Sequence, residues 1–560
     1  MIKKLQLHFG STGSSEKLEL EPGSVTIFVG PNNSGKSMIL REIEAYCQNG
    51  ERGNYKIVSD VEFLLPAEDK LLQELDEMKV PFQTGERQTE GHIKYGRFNA
   101  TRGFVQFNRK PTDLVQWMKT KANLQNFIQH YITMYVSRFG GKERFQLAQN
   151  KDNGDLKAQP TNTLSGLFQN DEKRKEVRGL VYEAFGKYFV VDPTSMKQLE
   201  VRLLDTEPPS NEIERGWGDS SAKFHKAAKH INEFSDGVQA FTGLVMTVIA
   251  GEERIMLVDE PEAFLHPSLA NLLGKKLSTV MSNRSGNLLV STHSPFFVMG
   301  CLQAGKTLNI VRLTYDENTT ATARLLSPEK VTELFKNPML RSTGVIQALF
   351  YSTVIVGESD ADRAFYNEIN ERLLAQATPE GLPSALFLNA QNKQTVWDVV
   401  RPLRSMGIPA VGIVDIDMVK EGGEVFTKAL AAAWVPTTLR ESLQTMRSRV
   451  KTAFDSTGKD MKRDGGVTLL SGDNKALADK LLSDLAEYGI FVVPNGELES
   501  WVRHLECTSH GPNWLIQVFG KMGSDPSDKN YVKPTTGDVW DFIRSIQKWV
   551  NDPRRKGMAE

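Results

Sequence analysis

The run Val25-Thr26-Ile27-Phe28-Val29-Gly30-Pro31-Asn32-Asn33-Ser34-Gly35-Lys36-Ser37 decides the fold class of this chain. Its first five residues read as a buried strand, the next eight fit Gly-x4-Gly-Lys-Ser, and Met38 to Tyr46 continues in a helical pattern. Strand, glycine loop and helix in that order make a phosphate cradle. Glycines let backbone N–H groups curl around phosphate oxygens, and the helix directs its positive end at the anion. The spacing therefore predicts an α/β fold that binds a nucleoside triphosphate through Gly30, Asn32, Asn33, Ser34, Gly35, Lys36 and Ser37. Lys36 is expected on the β and γ phosphates and Ser37 on Mg²⁺.

The matching parts of an ATPase lie far downstream. Ile255-Met256-Leu257-Val258-Asp259-Glu260 reads as a buried strand that delivers two carboxylates at its C-terminal end, where ligands collect in open α/β sheets. Asp259 is expected at Mg²⁺, and Glu260 beside the attacking water. Leu288 to Val290 leads to Ser291-Thr292-His293-Ser294-Pro295, which sets His293 at a strand end as a sensor of the γ phosphate. Upstream, Phe234-Ser235-Asp236-Gly237-Val238 opens a helical pattern that runs to Ile249 and looks like a degenerate Leu-Ser-Gly-Gly-Gln signature.

In this order the motifs resemble the ABC-type ATPase heads of the SMC and DNA-repair class, over residues 1–50 and 225–345. The resemblance implies ATP and Mg²⁺ as cofactors and a homodimer with ATP sandwiched between its heads. Ser235 and Gly237 would then contact the γ phosphate bound by the opposite subunit. Val238 stands where the family places Gln, and the Q-loop position is open between Gln106 and Gln146.

Composition sets the outer bounds. The 560 residues carry 68 Lys and Arg against 69 Asp and Glu, so any nucleic-acid surface must be a local patch. Cys47, Cys301 and Cys507 are widely separated, which argues against a structural zinc or a disulfide framework. His504 and His510 flank Cys507 without an evident fourth ligand. Met1 to His8 alternates like an edge strand rather than a signal peptide, and no apolar run reaches membrane-spanning length. The expectation is a cytoplasmic protein without a membrane partner.

Residues 1–161 are expected to hold the N-terminal part of the ATPase, with the phosphate loop and a β subdomain. Strand-like alternation over 91–109 and 128–150 suggests that subdomain. Residues 162–224 read as a mainly helical insertion, a lid or dimerisation element, with one strand pair at Tyr188 to Val191 and Leu199 to Leu204. No sustained heptad is present. The charged run Asp171 to Glu176 reads as a solvated helix face, and residues 225–345 as the C-terminal part of the ATPase.

A second chemistry follows over residues 346–560. Ser352 to Val356 reads as a buried strand ending at Gly357-Glu358-Ser359-Asp360-Ala361-Asp362, and Glu358 and Asp362, four apart, are expected to share a helix face. Ala410 to Val414 ends in Asp415-Ile416-Asp417, whose spacing in extended chain puts both carboxylates on one side. Gly489 to Val493 leads to Glu497 and Glu499. Three strand ends with paired acids would repel one another unless two Mg²⁺ or Mn²⁺ ions bind, which is how a phosphoryl-transfer site is built.

Glu-x3-Asp-x2-Phe-Tyr, Asp-x-Asp and Gly-Glu-Leu-Glu, each after a strand, resemble the Toprim domain over residues 350–505. Ser359 stands where that family usually has Gly, which leaves Asp360 as a reserve ligand. A split ABC-type P-loop ATPase with a helical insertion, followed by a Rossmann-like α/β Toprim domain, looks like the OLD (overcoming lysogenization defect) nuclease family. That resemblance implies an ATPase and a Mg²⁺- or Mn²⁺-dependent DNA endonuclease or nickase that serves as an effector of bacterial anti-phage defence. Its metals would sit on Glu358, Asp362, Asp415, Asp417 and Glu497 or Glu499. DNA, a homodimer or higher oligomer, and a partner protein or nucleic acid from a defence operon are the implied partners. The alternative is an ATP-switched clamp or sensor scaffold whose Toprim domain is inactive and docks a partner. Arg447 to Lys451, Lys459 to Arg463 and Arg554 to Lys556 are the local basic runs available to DNA phosphates.

Overall fold

Val25–Val29, buried along its whole length, is an interior strand of a six-stranded sheet in the computed structural model of the protein. The sheet order is Thr322–Leu326, Asn309–Thr314, Val25–Val29, Asn287–Ser291, Ile255–Asp259, Val136–Phe139. Every neighbouring pair is parallel except the edge strand Thr322–Leu326, which runs antiparallel to Asn309–Thr314. Parallel strands need cover on both faces, and these have the continuous apolar runs that such burial demands. The helix Lys36–Asn49 supplies part of that cover by packing Ile39, Leu40 and Ile43 into one core with Phe28, Leu257 and Leu289. Each such side chain contributes roughly 1.5–3 kcal/mol when fully buried.

The structure describes residues 1–558 apart from 14–15, 52, 142, 306, 316–320, 327–328, 330, 333–343 and 421–423. It forms two compact units, one of residues 1–29 and 33–330 and one of residues 30–32 and 331–560. The boundary expected between 345 and 346 adjoins residues 333–343, which lie outside the described residues.

In the first unit the strand pair of the insertion forms as expected: Tyr188–Asp192 is antiparallel to Gln198–Leu204, with Val191 opposite Val201. Four expectations need correction. Residues 132–135 form a 3-10 turn rather than a strand, and this brings the Tyr131 and Tyr135 hydroxyls together on the Glu74 carboxylate. The strand after it, Val136–Phe139, joins the central sheet beside Ile255–Asp259 rather than the Ile93–Asn99 and Gly103–Arg109 hairpin. Ile2–Leu7 is the middle strand of a three-stranded sheet, between Glu19–Leu20 and Val58–Phe63, not an edge. Finally, the run from Asp171 to Glu176 is not wholly solvated, because Arg174 is 1% exposed and pairs with Glu214 at 3.1 Å.

The second unit is built on a four-stranded, all-parallel sheet ordered Ala385–Asn389, Thr353–Gly357, Ala410–Val414, Ile490–Val492. The helices Asp360–Leu374 and Lys393–Ser405 follow its strands as crossovers. An apolar core that includes Phe365, Tyr366, Trp501, Trp514 and Trp540 lies to one side, where Trp501 Nε1 donates to the Tyr366 hydroxyl at 3.1 Å. The carboxyl ends of three of these strands therefore open onto one edge, the usual place for chemistry in such sheets.

Candidate active sites

The phosphate loop has the backbone its sequence demands. Gly35 adopts φ +90° at the head of the Lys36–Asn49 helix, and a Cβ there would approach Ile57 Cδ1 to 2.7 Å. Asn33 also takes the left-handed region, at φ +62°, which Asn tolerates better than most residues. Lys36 is 4% exposed, and burial brings its ammonium down to about 8 although Glu260, Asp259 and Glu262 oppose the change. A polyphosphate seated in the loop would supply the charge that holds this ammonium protonated.

The sheet register brings Asp259 opposite Ser291. Ser37 Oγ donates to Asp259 Oδ1 at 2.9 Å, and Ser291 Oγ donates to the same oxygen. A hydroxyl and a carboxylate in contact beneath a phosphate loop are the donor set that Mg²⁺ of a bound nucleotide takes. Glu260, at φ +51°, leaves the strand sharply, and its Oε1 lies 3.6 Å from His293 Nε2. Burial and the charge of Lys36 hold His293 below its ordinary value. Ser235 caps the Asp236–Ala250 helix by position, is exposed, and makes no side-chain cap bond. Gly237 lies where a Cβ would come within 2.8 Å of the Phe264 carbonyl oxygen. Gln146 is exposed on the short helix Arg144–Leu147, while Gln106 is exposed on the separate Gly103–Arg109 hairpin strand.

Two members of this site were missed in the sequence. Arg144, wholly buried, donates to the Asp259 carbonyl oxygen. Glu262 Oε1 accepts from His293 N at 2.8 Å, and burial raises its carboxyl above the usual range. Glu262 stands two residues beyond the Asp-Glu pair and was legible as a third acid; Arg144 lies in no motif.

The second cluster gathers at the carboxyl edge of the four-stranded sheet. Glu358 is not on the helix as expected, because Ser359 is the N-cap and the helix begins at Asp360. Ser359 thus has a structural reason to replace glycine: its Oγ accepts from Asp362 N at 3.2 Å, and Asp362 Oδ2 accepts from Ser359 N at 2.8 Å. Glu358 instead extends from the strand end, and its Oε1 accepts from Asp415 N at 2.9 Å. Asp415 is extended but Ile416–Val419 turns into a 3-10 helix, so the expected extended Asp-x-Asp spacing is replaced by a turn.

Lys462 Nζ binds these acids together, at 2.7 Å from Asp415, 3.8 Å from Glu497 and 3.9 Å from Asp417. Lys393 Nζ reaches Asp417 Oδ2 at 2.9 Å, while Asp417 Oδ1 is buried and finds no hydrogen-bond partner among the described residues. Burial and the Asp415 charge push Glu358 well above the carboxylate range, and burial does the same to Asp415 against the pull of Lys462. Asp362 is raised by burial, and Glu497 by burial and by Glu499. Glu499 is partly committed, since its Oε1 accepts from Gly511 N at 2.8 Å. Asp360, the reserve ligand, is exposed and paired with Arg363 at 2.7 Å. Among the described residues no three His, Cys, Asp or Glu side chains form a ready-made metal cage. The donor chemistry, all carboxylate oxygens with one orphaned buried oxygen, nonetheless fits a hard divalent cation. Lys462 lies in the basic run Lys459 to Arg463, whose spacing does not link it to the acids, and Lys393 lies in no motif.

The model of a family described as "AAA domain, putative AbiEii toxin, Type IV TA system" matches residues 25–299. Old nuclease of Escherichia phage P2 is 28% identical over 174 residues, 29% of this chain and 28% of that protein. Residues 25–299 thus carry an AAA-type ATPase domain, with a distant likeness to Old nuclease. Protein ea59 of Escherichia phage lambda is 27% identical over 223 residues, 37% of this chain. The matches span 41% of ea59 and 28% of Old nuclease, well under two thirds of either relative. Among solved structures, an SMC head bound to the C-winged helix domain of ScpA covers 59% of this chain and 99% of its own, at 12% identity and TM-score 0.33. The SMC head domain from Thermotoga maritima gives 14% identity over 58% of this chain and 98% of its own, at TM-score 0.28. Among the described residues no helix is long and apolar enough to cross a membrane.

Proposed function

We propose that this OLD-type ATPase is also a Mg²⁺- or Mn²⁺-dependent DNA endonuclease, with residues 346–560 forming a Toprim domain whose cleavage is governed by the ATP state of the heads. The observation that carries the reading is the meeting of Asp415, Asp417 and Glu497 around one ammonium at the carboxyl edge of a parallel sheet, with Glu358 held on the Asp415 backbone N–H. In this reading Glu358, Asp415 and Asp417 hold the cations, with Asp362, Glu497 and Glu499 at the margin. When bound, the cations would activate water and stabilise the leaving 3′ oxygen. The chain's own part is to fix the carboxylates on strand ends, with Asp415 N orienting Glu358. Lys462 adds a positive charge toward which a phosphate oxygen turns.

In the ATPase, Lys36 holds the β and γ phosphates, Ser37 and Asp259 the Mg²⁺, and Glu260 takes the proton of the attacking water. The closeness of His293 to Glu260 supports its role as sensor of the γ phosphate. The exposure of Ser235 at a helix N-terminus supports a homodimer in which it reaches the nucleotide of a second copy. Gln146, on the segment that also carries Arg144, is better placed for the Q-loop than Gln106. Likeness to a phage nuclease and to a family described as a putative toxin supports a role in anti-phage defence, in the cytoplasm.

One observation favours a second reading. Lys462 and Lys393 already neutralise Asp415 and Asp417, as an inactive Toprim domain that only docks a partner protein or nucleic acid would allow. Plasmid cleavage with Mg²⁺ or Mn²⁺ by the parent and by Asp415→Ala/Asp417→Ala separates the two. Metal-dependent nicking that the double variant loses supports the nuclease; equal behaviour of the two proteins supports docking.

A further inference from the structure

Beside the carboxylates lies a cleft of about 470 Å³ whose cations the reaction described above does not use. Its lining sets Lys462, Arg463, Arg503 and His510 against the carboxylates of Glu497 and Glu499. Arg463, Arg503 and His510 are exposed. Lys462 is tied to the acids, but among the described residues none of the other three side chains forms an ion pair or hydrogen bond. The charges of His510 and Arg463 are felt at Glu497, so both lie near the acidic centre.

The backbone holds these groups in place. Gly496, at φ +124°, lets the loop of Lys462 and Arg463 press down: a Cβ on Gly496 would lie 2.0 Å from the Lys462 carbonyl oxygen. On the other side, Val502 at φ +46° and Glu506 at φ +51° bracket the turn Arg503–Leu505. The left-handed region is an outlier for a β-branched residue, and such strain persists only where the surroundings impose it. Here Val502 is 2% exposed and its N–H donates to Asp538 Oδ2 at 3.0 Å, so Arg503 is presented to solvent from a pinned backbone. Of the three basic runs in this half of the chain, Lys459 to Arg463 is the one that reaches the carboxylates. By contrast Lys451 pairs with Asp455, and Lys556 with Glu487.

We propose that this cleft is a backbone-phosphate subsite, in which Arg463, Arg503 and His510 grip the DNA strand next to the bond that the carboxylate centre cleaves. Unpaired guanidiniums on rigid loops are suited to phosphate oxygens, which they meet in a bidentate fork. The proposal rests on the nuclease reading for its place in the reaction, but its binding can be measured without cleavage. Arg463→Ala/Arg503→Ala, Arg463→Lys/Arg503→Lys and the control Arg554→Ala are compared with the parent, all as full chains. Fluorescence anisotropy with a short labelled DNA duplex in Ca²⁺, over a series of KCl concentrations, gives affinity and salt slope.

Loss of two phosphate contacts lowers affinity about tenfold and flattens the log–log salt slope by about 2, since each contact contributes about 1. The lysine pair retains most of the slope, and Arg554→Ala leaves it unchanged. An unchanged slope in the double alanine variant overturns the subsite. Cleavage in Mn²⁺ is measured on the same proteins, where the double alanine variant raises KM far more than it lowers kcat. If the parent fails to cleave at all, the nuclease reading falls while the salt slope still decides the subsite.

Discussion

The Glu358 carboxylate accepts a hydrogen bond from the backbone N–H of Asp415 at 2.9 Å, across two adjacent parallel strands. This contact places two acids from separate strand ends within one small volume, and it orients Glu358 through the backbone rather than through a countercharge. Lys462 offsets only part of the resulting repulsion. The arrangement costs stability unless a proton or a cation joins it.

That cost has a pH dependence with a definite sign. Glu358 and Asp415 both titrate well above their unfolded values, so near neutrality the folded protein binds more protons than the unfolded chain. Stability from this pair is present below the unfolded pKa values and is lost as pH rises through the raised ones. Metal-free protein should therefore lose Tm between about pH 5 and pH 8, and Asp415→Asn should lessen that fall. At the alkaline end the variant should gain about 3–6 °C, equivalent to roughly 1–2 kcal/mol for a unit of this size. Differential scanning fluorimetry in EDTA reads the effect; a parent and variant with parallel pH profiles contradict it.

Glu260→Gln should bind ATP with near-parental affinity and hydrolyse it at least about 100-fold more slowly, because the water loses its base while Ser37 and Asp259 remain. Steady-state phosphate release beside nucleotide titration checks this. Parental turnover in the variant removes Glu260 from its assigned role.

Lys36→Ala removes the ammonium that the loop buries and should weaken ATP binding about 100-fold or more, the scale of a lost charge-assisted contact of about 3 kcal/mol. Isothermal titration with a non-hydrolysable analogue reads the loss directly, and undiminished affinity refutes the phosphate-loop assignment.

Ser235 is exposed at the start of a fifteen-residue helix, so Ser235→Arg should leave the fold and single-site nucleotide binding in place. ATP-dependent dimerisation of the Glu260→Gln protein should disappear when the substitution is added. Light scattering with and without ATP measures this, and a dimer that survives the substitution rules out a role for Ser235 across the interface.

Much of both centres was legible because the chemistry sits at strand ends. Val25–Val29, Ile255–Asp259 and Asn287–Ser291 are each built around a short apolar run, and their motifs follow directly. Glu358, Asp415 and Glu497 were found in the same way. What sequence spacing did not give was local backbone geometry: Ser359 reads as an anomaly until it is seen capping a helix, and the turn after Asp415 leaves no periodic trace. Residues brought in from distant loops were equally hidden. Lys462 lies 47 positions from Asp415 and 35 from Glu497, inside a basic run that reads as available to DNA phosphates rather than as a partner of the acids. Arg144 meets Asp259 through a buried side chain from a four-residue helix. The 3-10 turn at 132–135 escaped because its aromatic and β-branched residues mimic a strand.

The most direct test of two separate sites in one chain is to measure plasmid nicking in Mn²⁺ and ATP turnover on one preparation of Asp415→Ala/Asp417→Ala beside the parent. Removal of both carboxylates should reduce nicking by at least about 100-fold, the scale of a lost group that stabilises the transition state, while ATP turnover stays within about twofold. Nicking at the parental rate in the double variant contradicts the account.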